Sequence, residues 1–467
     1  MFKPRPYQVD GINKIRQAFS NGAKSVLYCS PTGSGKTFVF STIALSAMAK
    51  GTKVIILTHR EELLRQAHTH LEEMGVPHGI IKAGYTPNQH HNIQLASVQT
   101  LHRRLHTFKE PNLIITDECA HAVSKTYTDI YKVYPNALHL GVTATPLRLD
   151  GKGLSQVFDA MVKGLTTKQL IDMEYLSDYV LYGVPNKLDL SKVTKRMGDY
   201  VTSELNDLLD TPKITGNAVE HYRKYCLGKP AVAFCVSIKH AEDVAEQFRL
   251  SGITSISIDG KLNDKERERR LSGLKSGEYC VLTSCDLISE GFDLPAITAA
   301  ILLRPTMSLS LYLQQVGRAL RKYEGKDKAY IFDHVDNFKK HGLPDDLRQW
   351  SLDGMKPKTK QELKEDEYRT RQCPVCYFVH PPAPICPECG YEYTGKERKT
   401  LEQVEGELQA INDQQENQKR WEEYEKKKKI WSCKTLEDLK ATGKELGYNP
   451  YWAIKRWEWL QSKRKQA

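Results

Sequence analysis

The sequence predicts two tandem α/β domains built on parallel sheets, followed by a small four-cysteine zinc-binding module and a helical, basic and aromatic tail. Three observations predict it. Short apolar runs alternate with helical stretches in two separate series, two CxxC pairs stand close together in the C-terminal third, and 467 residues exceed what one ordinary domain uses.

The first series holds "SVLYC" (25–29), "KVIILT" (53–58), "NIQLAS" (92–97), "NLIIT" (112–116) and "LHLGVTA" (138–144), interleaved with helical patterns such as "TFVFSTIALSAMA" and "REELLRQAHTHLEEM". Such alternation places helices on both faces of a parallel sheet. The second series is "AVAFC" (231–235), "SISI" (255–258), "YCVLTS" (279–284), "AAILL" (299–303) and "AYIFD" (329–333), with "HAEDVAEQFRL" among its helices. Between the two, "LTTKQLIDMEYLSDYVLYG" (165–183) reads as a helix and the entry strand of the second domain. The expected boundaries are 1–165 and 166–341 for the α/β domains, 342–372 for an exposed charged linker, 373–394 for the zinc module and 395–467 for the tail.

Composition bounds the class. Hydrophobic residues at 40% and charged residues at 27% are ordinary globular usage, which excludes a fibrous or wholly disordered chain. The net charge of +11 suits a polyanionic partner and equally suits proteins without one. The chain holds no apolar run of about 18 residues, and "MFKPRPYQVD" lacks the apolar core of a signal peptide, so a cytosolic protein without a membrane role is expected. Of eleven cysteines, seven are scattered and four are paired as metal sites are, so no disulfides are expected.

At "SPTGSGKT" (30–37), Gly33, Ser34, Gly35, Lys36 and Thr37 fall between a predicted strand and a predicted helix, the context a phosphate loop needs. Glycines let backbone N–H groups curl round a phosphate, the helix offers its positive N-terminus, Lys36 reaches the terminal phosphates and Thr37 can hold magnesium. Ser30 replaces the usual first glycine, and a plain glycine-rich turn is the alternative. In "LIITDECAHA" (113–122) an apolar strand ends in two carboxylates. Asp117 is placed to hold magnesium through water and Glu118 to orient and deprotonate an attacking water; a solvated acidic pair is the alternative. In "YLQQVGRALRK" (312–322), Gln314 and Gly317 accompany Arg318 and Arg321, which share one helix face. If that face meets the phosphate loop across a cleft, both guanidiniums can stabilise a transferring phosphoryl group; otherwise they are solvated surface.

Taken in order, "RPYQ" (5–8), "SPTGSGKT", "DECAH" (117–121), "TATP" (143–146), "EGFDLP" (290–295) and "QQVGRALR" (314–321) resemble the motifs of superfamily 2 helicases. "RPYQ", "ASVQTL" and "LLRPTMSLSLYLQQVGRALR" further resemble the ResIII-type DNA helicases, in particular bacterial RadD-like repair helicases and phage relatives. Cys119 and His121 depart from the DEAD form, and "QQVGRALR" departs from the HRIGRTGR of DEAD-box RNA helicases; both departures favour DNA. The resemblance implies two RecA-like lobes with ATP and Mg2+ between them. It implies that Arg5 and Gln8 contact the adenine side of ATP, that Thr143 and Thr145 couple hydrolysis to movement on the nucleic acid, and that Gly291 and Asp293 lie near the nucleotide. It assigns Thr58, Arg60 and Gln66, Ser97, Gln99 and Thr100, and the segment "TSCDLISEG" to contacts with the backbone of the tracked strand, which carry no base code. Loop or cap hydrogen bonding is the alternative for the serines and threonines.

In "CPVCYFVHPPAPICPECG", Cys373, Cys376, Cys386 and Cys389 form two knuckles that can close a tetrahedron round Zn2+, a structural rather than catalytic site. A redox dithiol pair is the alternative, and His380 reads as a loop residue rather than a ligand. "LEQVEGELQAI" (401–411) reads as a packed helix, and "KKKK" (426–429) as a solvated face or a phosphate contact. In the tail, Thr435 and Asp438 form a capping pair, Gly447 suits a helix stop, and Asn449 with Pro450 suits a new start. Trp452, Lys455 and Arg456 read as a nucleic-acid grip, or else as an aromatic anchor with wet basic ends.

The reading is an ATP-dependent DNA helicase or translocase, which by resemblance would act in DNA repair, recombination or replication, with single-strand-binding or repair proteins among its partners, in a bacterial cell or phage-infected host. The rivals are an RNA helicase with the same motor, a zinc-dependent binding module on a silent ATPase, and the motor fragment of a restriction enzyme.

Overall fold

The computed structural model describes residues 4–86, 88–148, 151–183, 190, 193–196, 199–209, 212–285, 297–354, 370–393, 422, 425–426, 428–430, 432–433 and 435–464. They belong to two compact units, residues 1–394 and 395–467.

Lobe 1 of the first unit is a seven-stranded sheet in the order β3-β4-β2-β5-β6-β1-β7, every pair parallel. Its strands are β1 (Ser25–Cys29), β2 (Val54–Thr58), β3 (His78–Ile81), β4 (Ile93–Ser97), β5 (Leu113–Asp117), β6 (Leu138–Thr143) and β7 (Ala160–Lys163). Helices α1 (Pro6–Ser20), α2 (Lys36–Met48), α3 (Glu61–Glu73), α4 (Val98–Arg103) and α5 (Lys125–Val133) accompany it. Strands β1, β2 and β5 are buried at every residue, which is why they read as unbroken apolar runs. Their pleat feeds both faces: Val54 and Ile56 join one apolar cluster, Ile55 and Leu57 another.

Helix α6 (Thr167–Asp172), capped by Thr166 and Gln169, leads to β8 (Tyr179–Gly183), the entry strand the sequence predicted. A short hairpin, β9 (Lys195–Arg196) with β10 (Asp199–Tyr200), follows. Helices α7 (Thr202–Leu209), α8 (Pro212–Cys226), α9 (Ile238–Leu250), α10 (Asp264–Ser276), α11 (Leu309–Ala319) and α12 (Asn337–His341) accompany the second sheet. That sheet comprises β8, β11 (Ala231–Phe234), β12 (Ser255–Ile258), β13 (Val281–Ser284), β14 (Ala299–Leu302) and β15 (Ala329–Asp333), in the order β12-β13-β11-β14-β15-β8 and again all parallel.

Strand β8 is an edge, and the cysteine module covers it. Tyr182 bridges to Phe378, Gly183 N donates to the Tyr377 carbonyl at 3.1 Å, Gln372 donates to the Gly183 carbonyl, and the Tyr182 hydroxyl donates to Glu388 at 3.1 Å. Strands β16 (Arg371–Gln372) and β17 (Val379–His380) form the module's own hairpin. The module is thus part of lobe 2's surface, which protects an otherwise open edge.

One expectation is corrected. Residues 343–354 are not an exposed linker: Leu343 and Pro344 are buried and Leu352 packs on lobe 1, and hydrogen bonds to backbone carbonyls that no apolar pattern announces hold the segment as well. Residues 355–369 of that stretch lie outside the described residues.

In the second unit α13 (Leu436–Glu445) begins with the expected capping box of Thr435 and Asp438, and α14 (Pro450–Arg464) follows a turn in which Gly447 has φ +74°. Trp452 stacks on Tyr448 and lies against Gly443, so it anchors the hairpin. That is the packing arrangement weighed beside a Trp452 grip on nucleic acid, and the ring stays half-exposed. Lys455 is exposed and Arg456 half-buried. The helix expected at 401–411 lies outside the described residues, as does Lys427 of the lysine run.

Candidate nucleotide site and nucleic-acid face

The phosphate loop follows β1 and opens α2. Gly33 (φ +84°) and Gly35 (φ +79°) both occupy the left-handed region, which glycine reaches without strain. Lys36 Nζ lies over its own loop, donating to the carbonyls of Ser30 (3.2 Å) and Pro31 (3.3 Å). The buried Ser34 hydroxyl has no hydrogen-bond partner. A cationic Nζ, a curled backbone and an orphaned hydroxyl fit an incoming phosphate.

Helix α1 braces this loop. The Tyr7 hydroxyl and Gln8 Nε2 both donate to the Ser34 carbonyl, at 2.8 and 3.2 Å, while Gln8 Oε1 accepts from Arg5 N at 2.9 Å. Arg5 lies over the Tyr175 ring at 5.0 Å, and Tyr7 meets the same ring at 4.8 Å. Gln8 is thus bonded to the loop, while Arg5 is held beside it by Gln8 and Tyr175. Tyr7 and Tyr175 were missed, since a lone tyrosine carries no spacing signal.

At the end of β5, Asp117 is buried and accepts from Glu118 N at 3.0 Å. Burial first, and Glu118 second, push the Asp117 carboxyl well above its ordinary value, while Lys36 pulls it back. A buried carboxylate held between a lysine and a second carboxylate fits a Mg2+ ligand, with Thr37 in the first turn of α2 the second candidate. Glu118 itself stands at φ +46°. Its Oε2 lies 3.5 Å from the Thr143 hydroxyl, which donates to the Thr145 carbonyl at 3.0 Å; the Thr145 hydroxyl meets Ser310 of α11 at 2.5 Å. A polar chain therefore runs from the second carboxylate of lobe 1 to lobe 2.

Helix α11 is seated on the phosphate loop. A Cβ on Gly317 would lie 2.7 Å from Thr32, and a Cβ on Gly33 would lie 2.9 Å from Leu176 and 3.4 Å from Arg321. Gln314 and Arg318 are buried on the same helix. Arg321 does not share that helix face as expected: α11 ends at Ala319, and Arg321 follows it in a bridge to Leu176. Lys326, unforeseen, donates to the carbonyls of Ile297 (3.0 Å), Arg321 (2.8 Å) and Ala319, closing the helix's C-terminal end. Gly291 and Asp293 lie outside the described residues.

The expected nucleic-acid residues divide. Gln99 Nε2 donates to the His59 carbonyl at 3.1 Å and Ser97 donates to Gln99 at 2.8 Å, so the "THR" and "SVQT" stretches meet at His59 and Gln99; Arg60 and Gln66 are half-buried. Thr58, Thr100, Thr143 and Thr145 are buried, and Thr283 and Ser284 of the "TSCDLISEG" segment likewise. Thr143, Thr145 and Thr283 make internal hydrogen bonds, whereas the buried hydroxyls of Thr58 and Ser284 have no partner. An ion pair missed in the sequence links the lobes: Arg267 of α10 donates to Glu62 of α3 at 3.0 Å, with both side chains largely buried.

The four module thiols lie within 4.8 Å of one another, with Sγ–Sγ separations of 3.6 Å (Cys373–Cys389) and 3.7 Å (Cys376–Cys386). A tetrahedron with Zn–S bonds near 2.3 Å needs edges of about 3.8 Å, so the set is compatible with Zn2+. Each knuckle ends in a left-handed residue, Tyr377 (φ +62°) and Gly390 (φ +74°). His380 is engaged at both ring nitrogens, by the Pro381 carbonyl (2.6 Å) and the Tyr393 hydroxyl (2.7 Å), and is not a ligand.

Residues 1–148 match the family described as type III restriction enzyme, res subunit, and residues 218–323 match the helicase conserved C-terminal domain. A 51.5 kDa protein of a Lactococcus phage is 33% identical over 93% of this chain and 99% of its own length. The Saccharomyces cerevisiae protein IRC3, named as an ATP-dependent helicase, is 30% identical over 71% of this chain but only 51% of its own, so the chain spans about half of it. The DNA 3'-5' translocase XPB2 of Sulfurisphaera tokodaii is 26% identical over 65% of this chain and 76% of its own. Among solved structures, a fragment of an HsdR subunit of a type I restriction enzyme from Vibrio vulnificus shares the fold, with TM-score 0.58 and 23% identity over 74% of this chain and 68% of that one. A phosphate loop, paired carboxylates and an arginine helix meeting across two parallel-sheet lobes, with these relatives, place the chain among the ResIII-type superfamily 2 helicases, ATP-hydrolysing motors of nucleic acid.

Proposed function

We propose that the chain is a DNA-directed translocase or helicase in which Glu118 activates the attacking water and lobe 2 supplies Arg318 from α11 and Arg321 from the turn just past its end. The observation that carries this reading is the seating of α11 against the phosphate loop, with Gly317 at Thr32 and Arg321 at Gly33. In it, Lys36 leaves the carbonyls of Ser30 and Pro31 for the terminal phosphates, and Gln8 holds the loop through the Ser34 carbonyl. Mg2+, held by Thr37 and Asp117, would neutralise phosphate charge. Glu118 takes the proton from water, and the Thr143–Thr145–Ser310 chain passes the change at Glu118 to lobe 2. Zn2+ on Cys373, Cys376, Cys386 and Cys389 would fasten the module to β8.

DNA is favoured over RNA by the DECAH and QQVGRALR departures and by the name of the XPB2 relative. Arg60, Gln66, Ser97 and Gln99 are the proposed strand contacts of lobe 1, and Lys455 and Arg456 those of the tail. We assign the protein to the cytoplasm of a bacterial cell or infected host, in DNA repair, recombination or replication; among the described residues no helix is long and apolar enough to cross a membrane. The test is displacement of a third strand from triplex DNA. ATP should drive displacement and a non-hydrolysable analogue should not; displacement equal with both, or none with ATP, rejects the translocase.

A further inference from the structure

Residues 343–354 lie beyond both matched family stretches, yet they join lobe 2 to the back of lobe 1's catalytic turn. The first half is fixed to lobe 2. Arg348 donates from Nη1 to the carbonyls of Pro344 (3.2 Å) and Asp346 (3.0 Å), and from Nη2 to those of His341 (3.0 Å) and Leu343 (2.8 Å). Tyr179 donates to Asp345, and Tyr312 of α11 donates to the Gly342 carbonyl at 3.0 Å.

The second half is fixed to lobe 1. Leu154 N and Ser155 N both donate to the Leu352 carbonyl, at 2.7 and 2.9 Å, and Lys152 pairs with Gly354 as an antiparallel bridge. The backbones approach so closely that a Cβ on Gly153 would lie 1.8 Å from the Leu352 carbonyl oxygen and 2.2 Å from Gly354 N. The Leu352 side chain packs on the cluster of Leu27, Cys119, Ala122, Leu154 and Phe158. Cys119 begins the turn that follows Glu118. A non-glycine residue in the left-handed region costs roughly 1–2 kcal/mol, so the Glu118 conformation persists only because packing behind it holds the turn. That packing is tight: a Cβ on Gly141 would meet the Phe158 ring at 2.2 Å and Cys119 Sγ at 2.8 Å. Between its two anchors the segment borders a cavity of about 240 Å³, whose lining includes Thr32 of the phosphate loop, Gly317 of α11 and Trp350.

We propose that residues 343–354 are an inter-lobe strap that tethers α11 near the phosphate loop and couples lobe spacing to the Glu118 turn, with Leu352 as a positioning residue for that carboxylate. The proposal rests on the ATPase reading. A tether raises the effective concentration of one lobe at the other without adding a contact to the nucleotide. Its loss therefore acts on turnover rather than on nucleotide affinity, which the phosphate loop and α1 dominate.

The experiment uses the full chain with Gly153→Val, which expels the strap backbone, and Leu352→Ala, which keeps the backbone pairing and removes the side chain. Turnover and KM for ATP are measured with saturating single-stranded DNA, beside affinity for a fluorescent ATP analogue and the melting temperature. Interlobe distances are read by double electron–electron resonance between spin-labelled non-canonical residues at Glu73 and Leu250, both exposed. Gly153→Val should lower kcat on the order of tenfold, leave KM and analogue affinity within about twofold, and broaden the distance distribution. Leu352→Ala should lower kcat severalfold without broadening. A parent-like distance distribution in Gly153→Val, or parent-like kcat in both variants, overturns the strap. Should the parent itself fail to hydrolyse ATP, the ATPase reading falls, and the distance measurement alone judges the tether.

Discussion

Replacing Glu118 by glutamine separates chemistry from architecture. The substitution keeps the shape of the side chain and an oxygen for the Thr143 hydroxyl, now 3.5 Å away, but removes the base. General-base catalysis contributes about 10²–10⁴ in rate, so kcat should fall by that factor, about 3–5.5 kcal/mol of barrier. Stability should move the other way. Burial first and Glu118 second raise the Asp117 carboxyl to about 7, so at neutral pH the fold disfavours its ionised form at a cost that the unfolded chain does not bear. Removing the Glu118 charge relieves on the order of 1 kcal/mol, a melting shift of about +2–4 °C for a lobe of this size. The sign follows from linkage: a raised carboxyl destabilises above the unfolded value, so the gain is present at pH 7 and disappears below about pH 4, where both states are protonated. The assay pairs steady-state hydrolysis with thermal melts in metal-free buffer at pH 7 and pH 4. Lost turnover with a lowered melting temperature at pH 7 would show that Glu118 is structural, and retained turnover would show that it is not the base.

Gly317→Val inserts a Cβ 2.7 Å from Thr32 of the phosphate loop and should cut ATP turnover at least about tenfold, with a smaller loss of analogue affinity, since the clash pushes α11 off the loop while Gly33, Gly35 and Lys36 are unchanged. Metal analysis should find one zinc per chain, with Cys386→Ser losing it and exposing the β8 edge to proteolysis near Tyr182; full metal loading of that variant would remove the tetrahedral site. Burial pushes His139 and His341 down to about 4, so the unfolded chain binds protons first as pH falls from about 6.5. Stability should drop between pH 6.5 and 4, and His341→Gln, measured by urea titration, should flatten that slope.

The sheets were legible because parallel strands covered on both faces spell unbroken apolar runs, as in Val54–Thr58 and Leu113–Asp117. Strand β3 was not, since it is four residues long with alternating burial, and β7 is a short edge strand. The nucleotide cradle was legible as contiguous motifs, whereas Tyr7, Tyr175 and Lys326 act through distant carbonyls and rings that no spacing reveals. The strap escaped because its anchors are an arginine on four carbonyls and a close approach at Gly153, written in polar residues that read as linker. At Trp452 composition suggested a grip, and the structure adds a contact with Gly443 that no spacing announced.

The most direct measurement is ATP hydrolysis by the purified protein without nucleic acid and with single-stranded, duplex and forked DNA and single-stranded RNA, with Glu118→Gln as background. The account predicts hydrolysis stimulated strongly by DNA, weakly by RNA and absent in the variant. Stimulation mainly by RNA would contradict the DNA assignment, and hydrolysis that no nucleic acid stimulates would contradict the motor itself.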